Sequence, residues 1–317
     1  MNGIINIDKE KGWTSQDVLS KLKNTLKKHG IREKIGHTGT LDPMATGLLT
    51  ICIGKATRII EYFDGDIKTY QCTMELGKTS DTLDITGEIL SQTDYSNIKI
   101  LDIRNAFDRY KGVIEQIPPR YSALKYNGKP LYEYARRGIE IDSSIKKRRI
   151  YIKDIIITNI DLNHGEIEFE VSCSKGTYIR TICDDIGREL GTGAVMKDLR
   201  RISNGIFSLK DAMKIDEISS LSIDEFKSIL DSPDKALVNL GSVLIDEEEI
   251  IKFINGNFID KDKYEIIKEP KREYYYEVGD NMFSYKIFND DTFLGIGKID
   301  DNSALKAKKV IIGYDDI

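Results

Sequence analysis

The sequence is short of the residues on which many metal sites depend. It has three histidines, His29, His37 and His164, and its four cysteines form no C-x-x-C pair. A cysteine–histidine zinc site needs such residues in clusters, so we expect no metal site. Scattered thiols are typical of a reducing compartment, and we therefore predict that the protein is cytoplasmic.

Long apolar runs are also missing. No window approaches the ~18 uninterrupted apolar residues of a membrane-spanning helix, so we expect no membrane partner. The N-terminus MNGIINIDKEKG turns polar within eight residues and has no signal-peptide core. With 317 residues, 40% hydrophobic and 31% charged, the chain is typical of a globular protein of about two domains.

Three common enzyme motifs are absent. Gly54-Lys55 is followed by Ala56 and lacks the earlier glycine of a phosphate-binding loop. No G-x-G-x-x-G follows a strand and opens a helix, so a dinucleotide site is unsupported. The three histidines stand in no motif that would indicate a Ser-His-Asp triad.

The charge is unevenly distributed, although its sum is only −5. Residues 21–34 hold six Lys or Arg against one acid, and residues 120–149 hold nine against three. Residues 213–252 reverse the balance, with four basic and ten acidic side chains. A polyanion meets patches rather than sums, so the basic stretches either bind nucleic acid or are solvated helix faces.

The hydrophobic pattern predicts an α+β fold. Strands are expected at GIINIDK, LLTICIG, TYQCTMEL and EILSQ, and a hairpin at RIYIKDIIITNIDL and GEIEFEVSCSKG. Helices are expected after Thr14, in KATRIIEYF, over 98–111, in LYEYARRG and over 177–190. Because there is no strict βαβ repeat, we predict a mixed or antiparallel central sheet flanked by helices.

A second module is predicted near the C-terminus. The stretch Asp231-Ser-Pro-Asp234 is the best boundary, and short strands such as EYYYEVG, MFSYKIF, TFLGIGKI and KKVIIGY follow. We predict one domain over residues 1–235 and a small β-rich domain over residues 245–317.

One loop combines small residues with a single carboxylate. It reads GHTGTLDPMATGLL, from Gly36 to Leu49, and contains Asp42. Glycines 36, 39 and 47 leave room for close approach of another backbone, and Pro43 restricts Asp42 to extended conformations. A fixed, accessible aspartate is a nucleophile, a general base or a turn-former.

This loop resembles the signature of the TruB-type pseudouridine synthases, which isomerise the T-loop uridine at position 55 of tRNA. Further motifs follow in family order: KTYQCTMELG, TSDTLDITG, QIPPRYSALKYNGKPLYEYARRG, CSKGTYIRTICDDIG and LRRISNG. The match runs from about Asp8 to Ile206, and the C-terminal module is similar to the family's PUA-like domain. Two departures are Glu10, where a proline usually follows the lysine, and Thr50, where relatives often have proline.

The resemblance implies the reaction and its catalytic groups. It implies a pseudouridine synthase fold, no cofactor and no metal. Asp42 would be the nucleophile that attacks the sugar, or would remove a sugar proton, and Arg180 would hold its orientation. Tyr70 would stack on the flipped uracil, and its hydroxyl would help to remove the C5 proton.

The resemblance also implies substrate-binding residues. Tyr178 and Leu199 would line the pocket, and His37 would wedge against displaced T-loop bases. Asp84 would organise the site through hydrogen bonds, or would simply form a turn. Lys125 would contact the T-arm from a basic, aromatic insertion at about 115–149, where lysines and arginines can meet phosphates.

The implied partner is the T-arm stem-loop of tRNA, bound by a monomer without guide RNA or an obligatory protein partner. A non-catalytic RNA scaffold is one alternative, and the enzyme could also act as a tRNA-folding chaperone. A nucleoside or sugar hydrolase is another alternative, with Asp84 as its second acid. A guide-RNA-dependent relative is also conceivable, although the chain lacks long basic terminal extensions.

Overall fold

A nine-stranded mixed sheet organises the N-terminal part of the chain. The computed structural model describes residues 1–65, 67–139, 141, 147–271 and 283–312. In these residues the strands are β1 Gly3–Lys9, β2 Ile35–His37, β3 Thr46–Ile53, β4 Lys68–Leu76, β5 Lys78–Ser80, β6 Ile89–Gln92, β7 Gly112–Gln116, β8 Lys125–Tyr126, β9 Lys129–Pro130, β10 Arg148–Asp161, β11 Glu166–Cys173, β12 Ala194–Asn204, β13 Phe207–Ser208, β14 Gly241–Ile245, β15 Phe258–Ile259, β16 Tyr264–Lys268, β17 Ser284–Asn289, β18 Thr292–Ile299 and β19 Leu305–Val310. The α-helices are α1 Ser15–Lys28, α2 Ile100–Asp108, α3 Leu131–Arg136, α4 Ile179–Glu189, α5 Ile215–Ser220, α6 Ile223–Ser228 and α7 Ile250–Ile254.

The large sheet has the order β1-β3-β12-β4-β11-β10-β7, with β2 beside β3 and β13 beside β12. Its neighbours pair antiparallel except for β12 and β3, which run parallel. The predicted α+β class with a mixed sheet is therefore confirmed, as is the β10–β11 hairpin. Strand β12 lies between β3 and β4, so its side chains are next to those of both strands.

Alternation of apolar side chains explains why β4 and β11 form strands. In β4 the buried apolar residues are Tyr70, Cys72, Met74 and Leu76, as predicted, whereas Gln71 between them is exposed. The buried face joins side chains of α1, α2 and α4 in one hydrophobic core. Burial of each large apolar side chain contributes about 1.5–3 kcal/mol, so the core holds the sheet against the helices.

Helix α1 begins where the sequence predicts. The Thr14 amide donates to Asp17 Oδ2 at 2.9 Å, and the Asp17 amide donates to Thr14 Oγ1 at 3.0 Å. This reciprocal pair satisfies two amides that the first helical turn leaves without partners. Gly30 follows the end of the helix with φ +78°, a conformation that favours glycine.

The helix predicted in KATRIIEYF is confirmed, although Gly54–Gly65 forms a 3-10 helix rather than an α-helix. Thr57 Oγ1 donates to the Gly54 carbonyl at 2.8 Å, three residues earlier, and such local bonds compete with the α-helical ladder. The helix predicted over 98–111 is shorter, and corresponds to α2.

The strands after Gly241 form a second, six-stranded sheet of order β15-β19-β18-β17-β14-β16. It has its own core, which includes Val243, Phe253 and Ile287. A further apolar cluster, to which Leu48 and Ile296 belong, joins the two sheets. The β-rich C-terminal module is therefore confirmed, although the predicted strand EYYYEVG lies outside the described residues, and the domain limits stay a prediction.

No helix in the described residues combines the length and the apolar character needed to cross a membrane.

Candidate active site

The loop with Asp42 connects β2 to β3, which pair with each other. The Ala45 amide donates to the Asp42 carbonyl at 3.0 Å, so the backbone turns immediately after Asp42. The side chain of Asp42 stays 36% exposed. Asp42 is thus part of a turn and also presents its carboxylate to solvent.

Arg180 reaches Asp42 from the first turn of α4. Its Nε lies 2.9 Å from Asp42 Oδ2, and its side chain is only 7% exposed. Arg180 Nη1 donates to the Thr82 carbonyl at 2.9 Å, and Nη2 donates to the Tyr121 carbonyl at 3.0 Å. Because these bonds use three separate nitrogens, the guanidinium is held in one orientation and fixes the carboxylate beside it.

Asp84 supports Arg180 from the other side. Its Oδ2 lies 3.8 Å from Arg180 Nη1. Its Oδ1 accepts from Thr82 Oγ1 at 2.9 Å, from the Thr86 amide at 2.9 Å and from Thr86 Oγ1 at 2.6 Å. Asp84 therefore closes a turn and also contacts Arg180. A buried carboxylate bonded in this way is poorly placed to be the second acid of a hydrolase.

Tyr70 and Leu199 lie on adjacent strands of the same site. Tyr70 on β4 stands opposite Arg201 on β12, and Leu199 is two residues earlier on β12. Tyr70 is 8% exposed and Leu199 is 6% exposed. Burial raises the pKa of Tyr70, although the guanidinium of Arg201 opposes the shift. The phenol of Tyr70 is therefore protonated at neutral pH.

Tyr178 lies two residues before Arg180 in the sequence, and His37 lies five residues before Asp42. Tyr178 caps α4, where its amide donates to Gln116 Oε1 at 2.8 Å and its carbonyl accepts from Gln116 Nε2 at 3.0 Å. His37 is half-buried, and its Nδ1 accepts from the Gly39 amide at 3.3 Å. Burial lowers the pKa of His37, so the imidazole is neutral at pH 7.

Lys125 lies apart from the buried groups, on the exposed strand β8 of the insertion. Together with α3, this insertion presents exposed cationic side chains, namely Arg120, Lys125, Lys129, Arg136 and Arg137. Aromatic side chains are interleaved with them, and Arg136 lies 5.3 Å from the ring centroid of Tyr132. The Tyr121 carbonyl connects the insertion to Arg180. Exposed cations with aromatic rings suit a nucleic-acid surface.

Two buried cations beside the loop were missed by the sequence analysis. Lys9 has no exposed surface, and its Nζ donates to the carbonyls of Trp13 at 2.6 Å, Glu10 at 3.1 Å and Pro43 at 3.5 Å. Burial lowers the pKa of Lys9 to about 8, against the opposing effect of Asp42. Arg201 is 1% exposed. In the sequence, Lys9 could have been recognised as a basic residue within a predicted strand, whereas Arg201 lies outside the predicted strands.

Hydrogen bonds hold the chain at both positions where the sequence departs from the resembled motifs, Glu10 and Thr50. The Lys9 ammonium ties together the turn in which Glu10 stands. Thr50 Oγ1 donates to Asn6 Oδ1 at 2.9 Å and accepts from Asn204 Nδ2 at 3.2 Å. Asn204 Nδ2 also donates to Thr38 Oγ1 at 2.7 Å. Polar contacts therefore stiffen both positions.

The glycines of the loop serve packing within the chain. At Gly47, with φ +97°, a Cβ would lie 2.3 Å from the Arg201 carbonyl oxygen. At Gly39 a Cβ would lie 3.3 Å from both Arg201 Nη1 and Lys68 Cε. The prediction that another backbone approaches closely is confirmed at Gly47, where that backbone is β12, but at Gly36 and Gly39 the nearest atoms belong to side chains.

No group of three His, Cys, Asp or Glu side chains that could hold a metal ion is found in the part of the chain that the structure describes.

The sequence and the fold can be compared with those of known proteins. Residues 23–179 match the TruB family pseudouridylate synthase N-terminal domain, and residues 180–241 match the tRNA pseudouridylate synthase B C-terminal domain. A tRNA pseudouridine synthase B of Clostridium perfringens is 40% identical over 98% of this chain and 99% of that protein. The Clostridioides difficile enzyme of the same name is 39% identical over 98% of this chain and 100% of that protein. The chain belongs to the TruB family of pseudouridine synthases.

The reaction class of this TruB-family chain is therefore the isomerisation of uridine to pseudouridine. Solved structures agree on the fold. A crystal structure of a Cbf5-Nop10-Gar1 complex superimposes with a TM-score of 0.74 over 99% of this chain and 86% of the matched chain, at 23% identity. An H/ACA RNP bound to a substrate RNA gives a TM-score of 0.72 at 22% identity. At these identities the likeness concerns the fold alone.

Proposed function

We propose that this chain isomerises the uridine at position 55 in the T-loop of tRNA, with Asp42 as the essential catalytic group. The relatives named tRNA pseudouridine synthase B support tRNA as the substrate. One observation carries the assignment of the catalytic group: the Asp42 side chain is 36% exposed, yet its Oδ2 lies 2.9 Å from Nε of the buried Arg180. The carboxylate is both accessible and oriented, as a nucleophile requires.

The proposed reaction conserves all atoms of the nucleotide. The bond between N1 and C1′ breaks, the uracil turns, and a bond between C5 and C1′ forms while C5 loses its proton and N1 gains one. Asp42 either attacks the sugar or removes a sugar proton. In both versions the ribose must come within bonding distance of one oxygen of Asp42.

Tyr70, Leu199 and Tyr178 form the proposed base pocket. The Tyr70 ring stacks on the flipped uracil, and its hydroxyl helps to remove the proton from C5, which the oxygen can accept only as it gives up its own proton. Leu199, on the neighbouring strand β12, lines the same pocket, as does Tyr178 at the start of α4. Asp84 keeps Arg180 in place.

Base extraction explains the basic insertion. A uridine must leave the folded T-loop to reach Asp42, and unstacking costs a few kcal/mol. Stacking on aromatic side chains at ~1–3 kcal/mol per base offsets this cost. The neutral His37 would wedge against the displaced bases, and Lys125 with the neighbouring cations would contact T-arm phosphates.

The remaining parts of the proposal concern organisation. Residues 1–235 would form the catalytic domain, with the insertion at about 115–149, and residues 245–317 a PUA-like domain. The chain would act in the cytoplasm as a monomer, without guide RNA or a protein partner. Chaperone activity on tRNA would accompany the modification.

The test is tritium release from a T-arm stem-loop labelled at C5 of uridine, with wild type and Asp42→Ala side by side. Release by wild type alone supports the proposal. Release by both proteins would remove Asp42 from its role. No release by either, with the RNA still bound, would favour an RNA scaffold, and free uracil would indicate a hydrolase.

A further inference from the structure

A buried arginine without a carboxylate partner lies between the Asp42 loop and Tyr70. Arg201 is 1% exposed, and the described residues include no ion pair of Arg201 with an aspartate or glutamate. Burial of a charge is unfavourable unless polar groups compensate for the lost water. The polar groups that compensate Arg201 are backbone carbonyls of the Asp42 loop.

The guanidinium of Arg201 binds the loop on both sides of Asp42. Its Nη2 donates to the Gly39 carbonyl at 3.0 Å, and its Nε donates to the Leu48 carbonyl at 2.7 Å. Gly39 precedes Asp42, and Leu48 follows it. The same strand that carries Arg201 pairs with β3 at Gly47. One side chain therefore fixes both ends of the loop.

Arg201 also faces Tyr70. The two residues are directly opposite each other in the β12–β4 pairing, and the guanidinium carbon lies 6.0 Å from the Tyr70 ring centroid. A cation at this distance interacts favourably with the electrons of the ring. The charge of Arg201 also acts on the phenol, since it opposes the effect of burial on the pKa of Tyr70.

We propose that Arg201 is a positioning residue that holds the ring and hydroxyl of Tyr70 in register with the Asp42 loop. The proposal rests on the proposed roles of Asp42 and Tyr70. With almost no exposed surface, Arg201 offers nothing to the RNA itself. A change at Arg201 should therefore affect the rate of the chemical step and leave RNA affinity unchanged.

The first test is Arg201→Lys, which keeps the charge but lacks the planar guanidinium through which Nε and Nη2 reach the two carbonyls. Loss of a charge-assisted hydrogen bond corresponds to about a ten- to hundred-fold effect. We expect single-turnover tritium release to slow by that factor, with the dissociation constant for the stem-loop within about two-fold of wild type. The control is Arg188→Lys, because the Arg188 side chain is exposed and its ion pair is with Asp184 of its own helix α4. An unchanged rate, or equal losses of rate and affinity, would overturn the proposal.

A double-mutant comparison tests whether Arg201 acts through Tyr70. Tyr70→Phe removes the hydroxyl and keeps the ring. If the two residues act together, Arg201→Lys should cost at least about three-fold less in the Tyr70→Phe background than in wild type. Equal costs in both backgrounds would show that Arg201 acts independently of that hydroxyl, and would contradict the proposal.

A second pair of variants leaves Arg201 in place. Gly39→Ala would put a methyl group 3.3 Å from Arg201 Nη1, whereas Gly36→Ala would put one 3.1 Å from Ile60 Cδ1. We expect Gly39→Ala to slow the single-turnover rate by about ten-fold and Gly36→Ala by about two-fold. Equal losses would count against the proposal, even if Arg201→Lys does not fold. Wild type without any tritium release would instead contradict the proposed function itself.

Discussion

The Asp42 loop and the basic insertion differ in how their polar groups are held. The loop is fixed by buried donors from two strands and a helix: Lys9 on β1, Ser15 on α1, and Arg201 and Asn204 on β12. The cations of the insertion are exposed, and for Arg120, Lys125, Lys129 and Arg137 the described residues include no carboxylate partner. The difference fits the two tasks proposed above, namely chemistry at the rigid loop and adaptable contact with phosphates at the insertion.

The two regions meet at Arg180. This arginine binds Asp42 through Nε and the Tyr121 carbonyl of the insertion through Nη2. A change in the loop should therefore lower the rate without lowering affinity, and a change in the insertion should do the opposite.

The largest expected effect is at Asp42. Asp42→Asn should lower the single-turnover rate at least about a thousand-fold, because the amide is neither a nucleophile nor a base. Asp42→Glu keeps the charge but displaces it, and should still lose about a hundred-fold if the loop sets the position closely. Tritium release at saturating stem-loop measures both. Near-normal activity of Asp42→Glu would show that the rigidity of the loop is unimportant.

The second prediction concerns the pH dependence of stability. The pKa of Lys9 falls from 10.5 to about 8 on folding, so between these pH values the unfolded chain holds a proton that the folded chain has released. Stability contributed by this group therefore rises with pH through this window, on the order of 3 kcal/mol in total.

The measurement is urea unfolding of wild type and Lys9→Met at pH 7.5, 8.5 and 9.5. The difference in unfolding free energy between the two proteins should change in favour of wild type as pH rises. Lys227→Met, which removes an exposed lysine, is the control and should show no trend. A flat difference for Lys9→Met would mean that the buried cation does not titrate in this range.

The third prediction concerns the insertion. Combined replacement of Arg120, Lys125 and Lys129 by alanine should weaken stem-loop binding about ten- to hundred-fold and leave the rate at saturation within about two-fold. Each lost phosphate contact should also reduce the slope of affinity against salt concentration by about one. The matched control replaces Lys227, Lys235 and Lys252, which lie in the acidic stretch. An unaltered salt slope would contradict contact of the insertion with phosphates.

The smallest effect is expected at Glu10. The Glu10 amide makes no hydrogen bond within the described residues, and Lys9 before it lies in a strand, so proline is compatible with both positions. Because Lys9 already holds this turn, Glu10→Pro should change the unfolding free energy by less than about 1 kcal/mol. Thermal unfolding checks this, and a large loss of stability would show that the backbone at Glu10 does not accept proline.

Much of the fold could be predicted from the sequence because local patterns determine it. Alternation in TYQCTMEL and the capping pair Thr14 and Asp17 each act within a few residues. The helix after Gly54 was predicted but its 3-10 type was not, because Thr57 bonds locally to a carbonyl and hydrophobic spacing does not reveal such a bond.

The candidate site was only partly readable for a different reason. Asp42 and Arg180 stand in motifs, and the structure brings them together. Arg201 and Lys9 bind carbonyl groups distant in the chain, and a carbonyl has no residue identity for a pattern to reveal. The contacts of Arg201 depend on the pairing of β12 with both β3 and β4, and local sequence patterns do not reveal which strands pair.

The most direct test of the division between loop and insertion is an affinity measurement. The dissociation constants of Asp42→Asn and of the Arg120, Lys125 and Lys129 triple alanine variant would be measured with the same T-arm stem-loop at one salt concentration. We predict that Asp42→Asn binds within a few-fold of wild type, while the triple variant binds at least about ten-fold more weakly. Loss of binding by Asp42→Asn as large as that of the triple variant would contradict the account.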